Sequence, residues 1–165
     1  MTAVALLLGL LIDHFIGEAK RWHPLVGFGN AAATLEKAAN PSSDNHGKLR
    51  GLVCWALMVL TPVVAMTLAV SQLSGLALLV FNALVVYFVV GLKSLVEHGR
   101  NVAVPLLDGD LPAARQQIAM MVSRDTAKLN EQQVACATCE SVLENGSDAI
   151  FAALFWFCLL GAPGA

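Results

Sequence analysis

Glu140, Glu144 and Asp148 fall four residues apart. On a helix that spacing stacks three carboxylates along one face. Like charges so placed repel, and they help a helix only if a cation or a basic group sits among them. Arg124, Asp125 and Thr126 lie one short connection upstream, and Asn145 stands beside the acidic row. Such carboxylates could gather a divalent cation, and a nearby guanidinium could hold a phosphate or a carboxylate. A solvated acidic face is the competing reading of the same spacing.

Other polar residues gather where apolar runs end. Asp13 and His14 lead through Gly17 and Glu18 to Trp22, His23 and Pro24. Glu97, His98 and Arg100 follow the longest apolar stretch, and Glu97 and Arg100 have the i, i+3 spacing of a surface pair. Cys136 and Cys139 form a CxxC without a second pair, which is a weak signal for zinc or redox chemistry. No Walker loop, dinucleotide fingerprint, nucleophile elbow or HExxH motif is present. A bound phosphate would therefore rest on Arg124, helix-start amides and a magnesium ion.

The elements that must position these residues are apolar. Of 165 residues 57% are hydrophobic and 13% charged, with a mean hydropathy of +0.68. Soluble domains carry about 25% charged residues, so this composition points to a membrane protein. A net charge of −2 with no basic cluster gives no footprint for nucleic acid. Four cysteines do not make a disulfide framework.

From Gly51 to Leu92 there is no Asp, Glu, Lys, Arg or His. A span needs about 20 apolar residues, so this stretch predicts a helical hairpin, 52–71 and 75–92, broken at Ser71–Gly75. Pro62 should kink the first helix. A retained N-terminal helix is expected over 3–16, because no basic residue precedes it as in a signal peptide. Asp13 should face protein or water rather than lipid. The membrane region is thus 1–92, with 17–50 a polar loop.

Residues 93–148 read as a small helical cytoplasmic domain. Pro105 and Asp108–Asp110 end its first helix, Asp110 caps a second that runs to about Val122, and Asn130 with Gln133 forms a capping box for a third over 131–145. Gly146 is expected to end that helix, which would take Asp148 off the acidic row. Residues 149–165 begin a further apolar segment, and the coding sequence is expected to continue beyond Ala165. Lysines and arginines fill both long polar stretches and are absent from 71–75, so the positive-inside rule puts those stretches in the cytoplasm. The fold class expected is all-α, a polytopic membrane protein.

In chain order, Asp13…Gly17-Glu18…His23-Pro24, Ser94-Leu95…Glu97-His98, Arg124-Asp125-Thr126, Glu140-Ser141-Val142…Glu144-Asn145…Asp148…Leu154-Phe155-Trp156 and Gly161-Ala162-Pro163-Gly164-Ala165 resemble the CobD/CbiB family. These are integral-membrane adenosylcobinamide-phosphate synthases. The likeness runs the length of the chain and covers about the first half of the family pattern. Ala19 and Ala153 stand where the family commonly has proline.

The resemblance implies an enzyme of the inner membrane that uses ATP and magnesium. It would join adenosylcobyric acid to aminopropanol phosphate or ethanolamine phosphate. Its partners would be the corrinoid, the amino-alcohol phosphate, membrane lipid and other late cobalamin enzymes. Arg124, Asp125 and Glu144 are the implied catalytic residues. Glu97, His98, Thr126, Asn145 and His23 are the implied substrate contacts, and Glu140, Glu144 and Asp148 the implied magnesium ligands. Two other classes remain open: a non-catalytic sensor of the AmpE type, and a scaffold for late cobalamin enzymes.

Overall fold

The computed structural model describes residues 2–18, 24–39 and 47–165, and these are helical, with no strand among them. Helix α1 is Thr2–Ile16, α2 Pro24–Ala39, α3 Gly47–Gln72, α4 Gly75–Val89 and α5 Leu92–Leu107. Helix α6 is Leu111–Ile118, α7 Glu131–Asn145 and α8 Ala152–Leu160, with a π-helical turn, Gly146–Phe151, joining α7 to α8. Among the described residues three stretches are long and apolar enough to cross a membrane: Gly47–Gln72, Gly75–Leu107 and Glu131–Leu160.

The apolar run breaks where the polar residues sit, α3 ending at Gln72 and α4 starting at Gly75, whose φ of 56° suits glycine, but α3 packs against α2 rather than along α4. Helix α3 runs through Pro62 and buries none of its residues. Most of its large apolar side chains are exposed, a surface suited to lipid, while Met66 and Val70 lean on the core.

Helix α1 lies against α4. Its buried residues are Ala5, Gly9 and Asp13, one stripe at i, i+4 and i+8. Small residues let membrane helices approach closely, and Gly9 shows how closely. A Cβ there would stand 2.6 Å from Val86 Cβ and Cγ1 and 2.8 Å from the Ala83 carbonyl.

Two apolar clusters hold the fold. Ala5, Val85, Val86, Val90, Ile150, Phe157 and Ala162 join α1, α4 and the α8 end. Val102, Ala114, Ile118, Val134 and Ala137 join α5, α6 and α7. The caps of the second cluster are local, as the sequence predicts. Asp110 accepts from Ala113 N at 3.0 Å, and Asn130 and Gln133 exchange two bonds of 2.9 Å.

Several elements differ from expectation, beginning with α3, which starts at Gly47 rather than 52. The polar loop 17–50 contains α2, which starts at a proline and carries the strong helix former alanine three times in a row. Helix α5 continues through Pro105 to Leu107. Helix α6 ends at Ile118 rather than near Val122. Helix α7 ends at Asn145 as expected, but Gly146 does not stop the chain from coiling: its φ of −61° and ψ of −43° are helical and lead into the π turn. Glycine terminates a helix only when it turns to positive φ, and here the apolar run from Ala149 keeps the backbone bonded within one helix. The π turn absorbs the extra residue and re-phases the helix between Glu144 and Asp148.

Candidate functional site

The apolar stretch Gly75–Leu107 is broken in its middle. Val90 is extended (φ −100°, ψ 106°), and Gly91 precedes the first turn of α5. Such a break frees amides that lipid cannot satisfy. Asp13 supplies the missing acceptor from another helix: its Oδ2 accepts from Lys93 N at 3.0 Å. A carboxylate at a helix N-terminus is also favoured by the helix dipole. The same region is tied twice more. Tyr87 Oη donates to the Gly17 carbonyl at 2.9 Å, and Lys93 Nζ to the Phe15 carbonyl at 3.2 Å.

Beside the break lies a cavity of about 350 Å³. Its polar lining comes from Asp13, Glu18, Tyr87, Ser94, His98 and Asn145; the rest is largely apolar. Helix α5 delivers Ser94 and His98 one turn apart on one face. His98 Nδ1 stands 2.7 Å from the Ser94 carbonyl, a contact that requires a proton on Nδ1 and leaves Nε2 open. Asn145 Nδ2 donates to Ser141 O at 2.8 Å and Ser141 Oγ at 3.3 Å, which leaves Oδ1 as the acceptor it can offer. Ser141, buried, in turn donates to the Met121 carbonyl at 3.3 Å.

A second site lies on the outer face of α7. Helices α6 and α7 fold back on each other, and Arg124 Nη2 meets Glu140 Oε2 at 2.9 Å. The two side chains are 53% and 68% exposed, so the pair faces solvent. Among the described residues no other guanidinium nitrogen of Arg124 is engaged, so Nε and Nη1 can still turn to an anion. The loop that carries Arg124 is built independently of it. Asp125 Oδ1 accepts from Ala127 N at 2.9 Å, and buried Thr126 donates to the Arg115 carbonyl at 3.0 Å. Arg115 Nε closes the loop onto the Leu129 carbonyl at 2.7 Å.

The residues singled out in the sequence therefore separate. His98 and Asn145 share the cavity, whereas Glu97 turns away from it toward Arg100 and Asn101. Arg124 joins Glu140; Asp125 and Thr126 shape its loop. Glu144 and Asp148 are exposed and make no hydrogen bond or ion pair among the described residues. Glu140, Glu144 and Asp148 do not form a metal-holding group, nor do any other three His, Cys, Asp or Glu side chains among the described residues. Cys136 and Cys139 are exposed free thiols. His23 lies outside the described residues. Tyr87 enters the site only through the structure, whereas Asp13, Glu18 and Ser94 stand in the polar motifs of the sequence without having been assigned a role there.

A family model described as CobD/Cbib protein matches residues 6–165. A "Cobalamin biosynthesis protein CobD" of Chromobacterium violaceum is 47% identical over 169 residues, 99% of this chain and 54% of that protein. One of the same name from Stutzerimonas stutzeri is 48% identical over 155 residues, 94% of this chain and 50% of that protein. A "Probable cobalamin biosynthesis protein CobD" of Methanococcus vannielii is 33% identical over 171 residues, covering 98% and 55%. The chain thus spans about half the length of the curated relatives it matches. No solved structure matches it. With the family model covering nearly its whole length, the chain belongs to the CobD/CbiB family.

Proposed function

We propose that this chain is the N-terminal part of a membrane-bound adenosylcobinamide-phosphate synthase of cobalamin biosynthesis. The enzyme would ligate the free carboxylate of adenosylcobyric acid to the amine of aminopropanol phosphate or ethanolamine phosphate. The family match over residues 6–165 carries this reading. MgATP would enter as a substrate and activate the carboxylate, because an amine cannot displace oxide directly.

Phosphoryl transfer and acyl substitution both spread negative charge over oxygens, which fixed cations stabilise. Arg124 is the group of this chain for that task. Glu140 holds one end of the guanidinium and leaves the other nitrogens for phosphate oxygens. Asp125 acts through its turn, by fixing the loop on which Arg124 stands. Glu144 and Asp148 lie on the same helical rod and would meet the magnesium that ATP carries. In this reading the protein sits in the inner membrane with its Lys- and Arg-bearing stretches in the cytoplasm, where ATP is.

The test is complementation of a synthase-deficient strain by the full-length protein. Turnover is then measured in purified membranes with adenosylcobyric acid, MgATP and aminopropanol phosphate. Formation of the amide supports the reading. Membranes that contain the protein but form none would refute it.

A further inference from the structure

Asp13 is 1% exposed and uses only one of its oxygens. Oδ2 caps α5, while Oδ1 is buried and has no hydrogen-bond partner among the described residues. An unpaired carboxylate oxygen in a protein interior is costly, so its persistence needs a reason. Asp13 forms part of the wall of the 350 Å³ cavity.

The rest of that wall indicates which ligand would complete it. Among the described residues that line the cavity are two carboxylates, Asp13 and Glu18, and no Lys or Arg. A phosphate or a corrin carboxylate would meet like charge there, whereas a cation would be attracted. The cavity is also too small for a corrin macrocycle and ample for a short amino alcohol. Tyr87 presents a ring beside the acids, with its hydroxyl already donating to Gly17. An aromatic wall suits an ammonium group. His98 Nε2 and Asn145 Oδ1 are acceptors that a primary ammonium, with three donors, could use. The anion-binding Arg124 stands elsewhere, on the outer face of α7.

We propose that this cavity is the binding site for the ammonium end of the amino-alcohol phosphate, with Asp13 Oδ1 as its counter-charge. The assignment rests on the synthase reading given above and names the residues that would hold its smaller substrate. Asp13 therefore has two tasks: one oxygen closes the break between α4 and α5, and the other receives substrate at that break.

The experiment measures equilibrium binding of radiolabelled aminopropanol phosphate to the full-length protein in detergent. Isopropyl phosphate, which lacks the amine, is the companion probe. Asp13→Asn keeps an oxygen for Lys93 N and removes the charge. The expected result is at least tenfold weaker binding of the amine by Asp13→Asn, with isopropyl phosphate bound equally by both proteins. Wild-type protein should also prefer the amine to isopropyl phosphate, a comparison that does not depend on the variant folding. Equal wild-type affinity for the two probes, no measurable wild-type binding of the amine, or unchanged amine affinity in a folded Asp13→Asn would each overturn the assignment. Turnover of the same samples separates the two ideas. Binding by wild type without amide formation would sink the synthase reading, and amide formation with an unaffected Asp13→Asn would sink the cavity.

Discussion

Replacing Arg124 by lysine separates structure from chemistry at the Arg124–Glu140 pair. Both side chains are more than half exposed, and the contact runs through a single nitrogen at 2.9 Å. Exposed pairs of this kind contribute roughly 0.2–1 kcal/mol, and lysine retains the charge. The loop is held by Asp125, Thr126 and Arg115, none of which depends on the guanidinium. A role as cap of α6 is also ruled out, because that helix ends at Ile118, six residues earlier than Arg124, and the guanidinium goes to Glu140. Arg124→Lys should therefore shift stability by less than about 1 kcal/mol. Its chemical cost is larger. Ammonium cannot reproduce the planar fork that holds Glu140 with one nitrogen and an anion with the others. Losing one charge-assisted bond of roughly 1.5–3 kcal/mol slows a reaction about 10- to 150-fold. The assay is initial-rate amide formation in membranes, normalised to protein content, beside the unfolding midpoint in detergent. A lysine variant that turned over at the wild-type rate would refute the reasoning and return Arg124 to a surface role.

Glu144→Gln should abolish cobinamide-phosphate formation while membrane abundance stays normal, since exposed substitutions without a role usually change stability by less than about 0.5 kcal/mol; normal turnover would remove Glu144 from the site. Gly9→Ala should destabilise the α1–α4 contact by about 1–3 kcal/mol, because the new methyl meets Val86 and the Ala83 carbonyl below van der Waals distance; an unchanged unfolding midpoint in detergent would contradict that packing. For topology, Ser74→Cys in a background free of native cysteines should react with an impermeant thiol reagent in intact cells, and Asp108→Cys only after permeabilisation. Asp108 is the better probe of that bend than Gly109, whose φ of 78° a cysteine would strain.

The sequence by itself determined the parts whose causes lie within a few residues. The uncharged run from Gly51 to Leu92 and its polar break make two apolar helices joined by a short connection wherever the rest of the chain goes. Asp110 caps α6 and Asn130 with Gln133 caps α7 because the bonds close over three residues. The order of polar motifs was enough to suggest the family. Tertiary structure decided what depends on distant partners. Asp13 and Lys93 are 80 residues apart, and only the packing of α1 on α4 brings a carboxylate to the break before α5. Arg124 reaches Glu140 because α6 and α7 fold back, not because of their spacing. Gly146, a residue type that often terminates helices, stands where the helical backbone continues, since its apolar continuation packs Ile150 and Phe157 into the first core cluster. Local patterns report hydrogen bonds a chain can make with itself nearby. Which acid meets which amide, and which face is left to hold a ligand, follows from how the helices pack against one another.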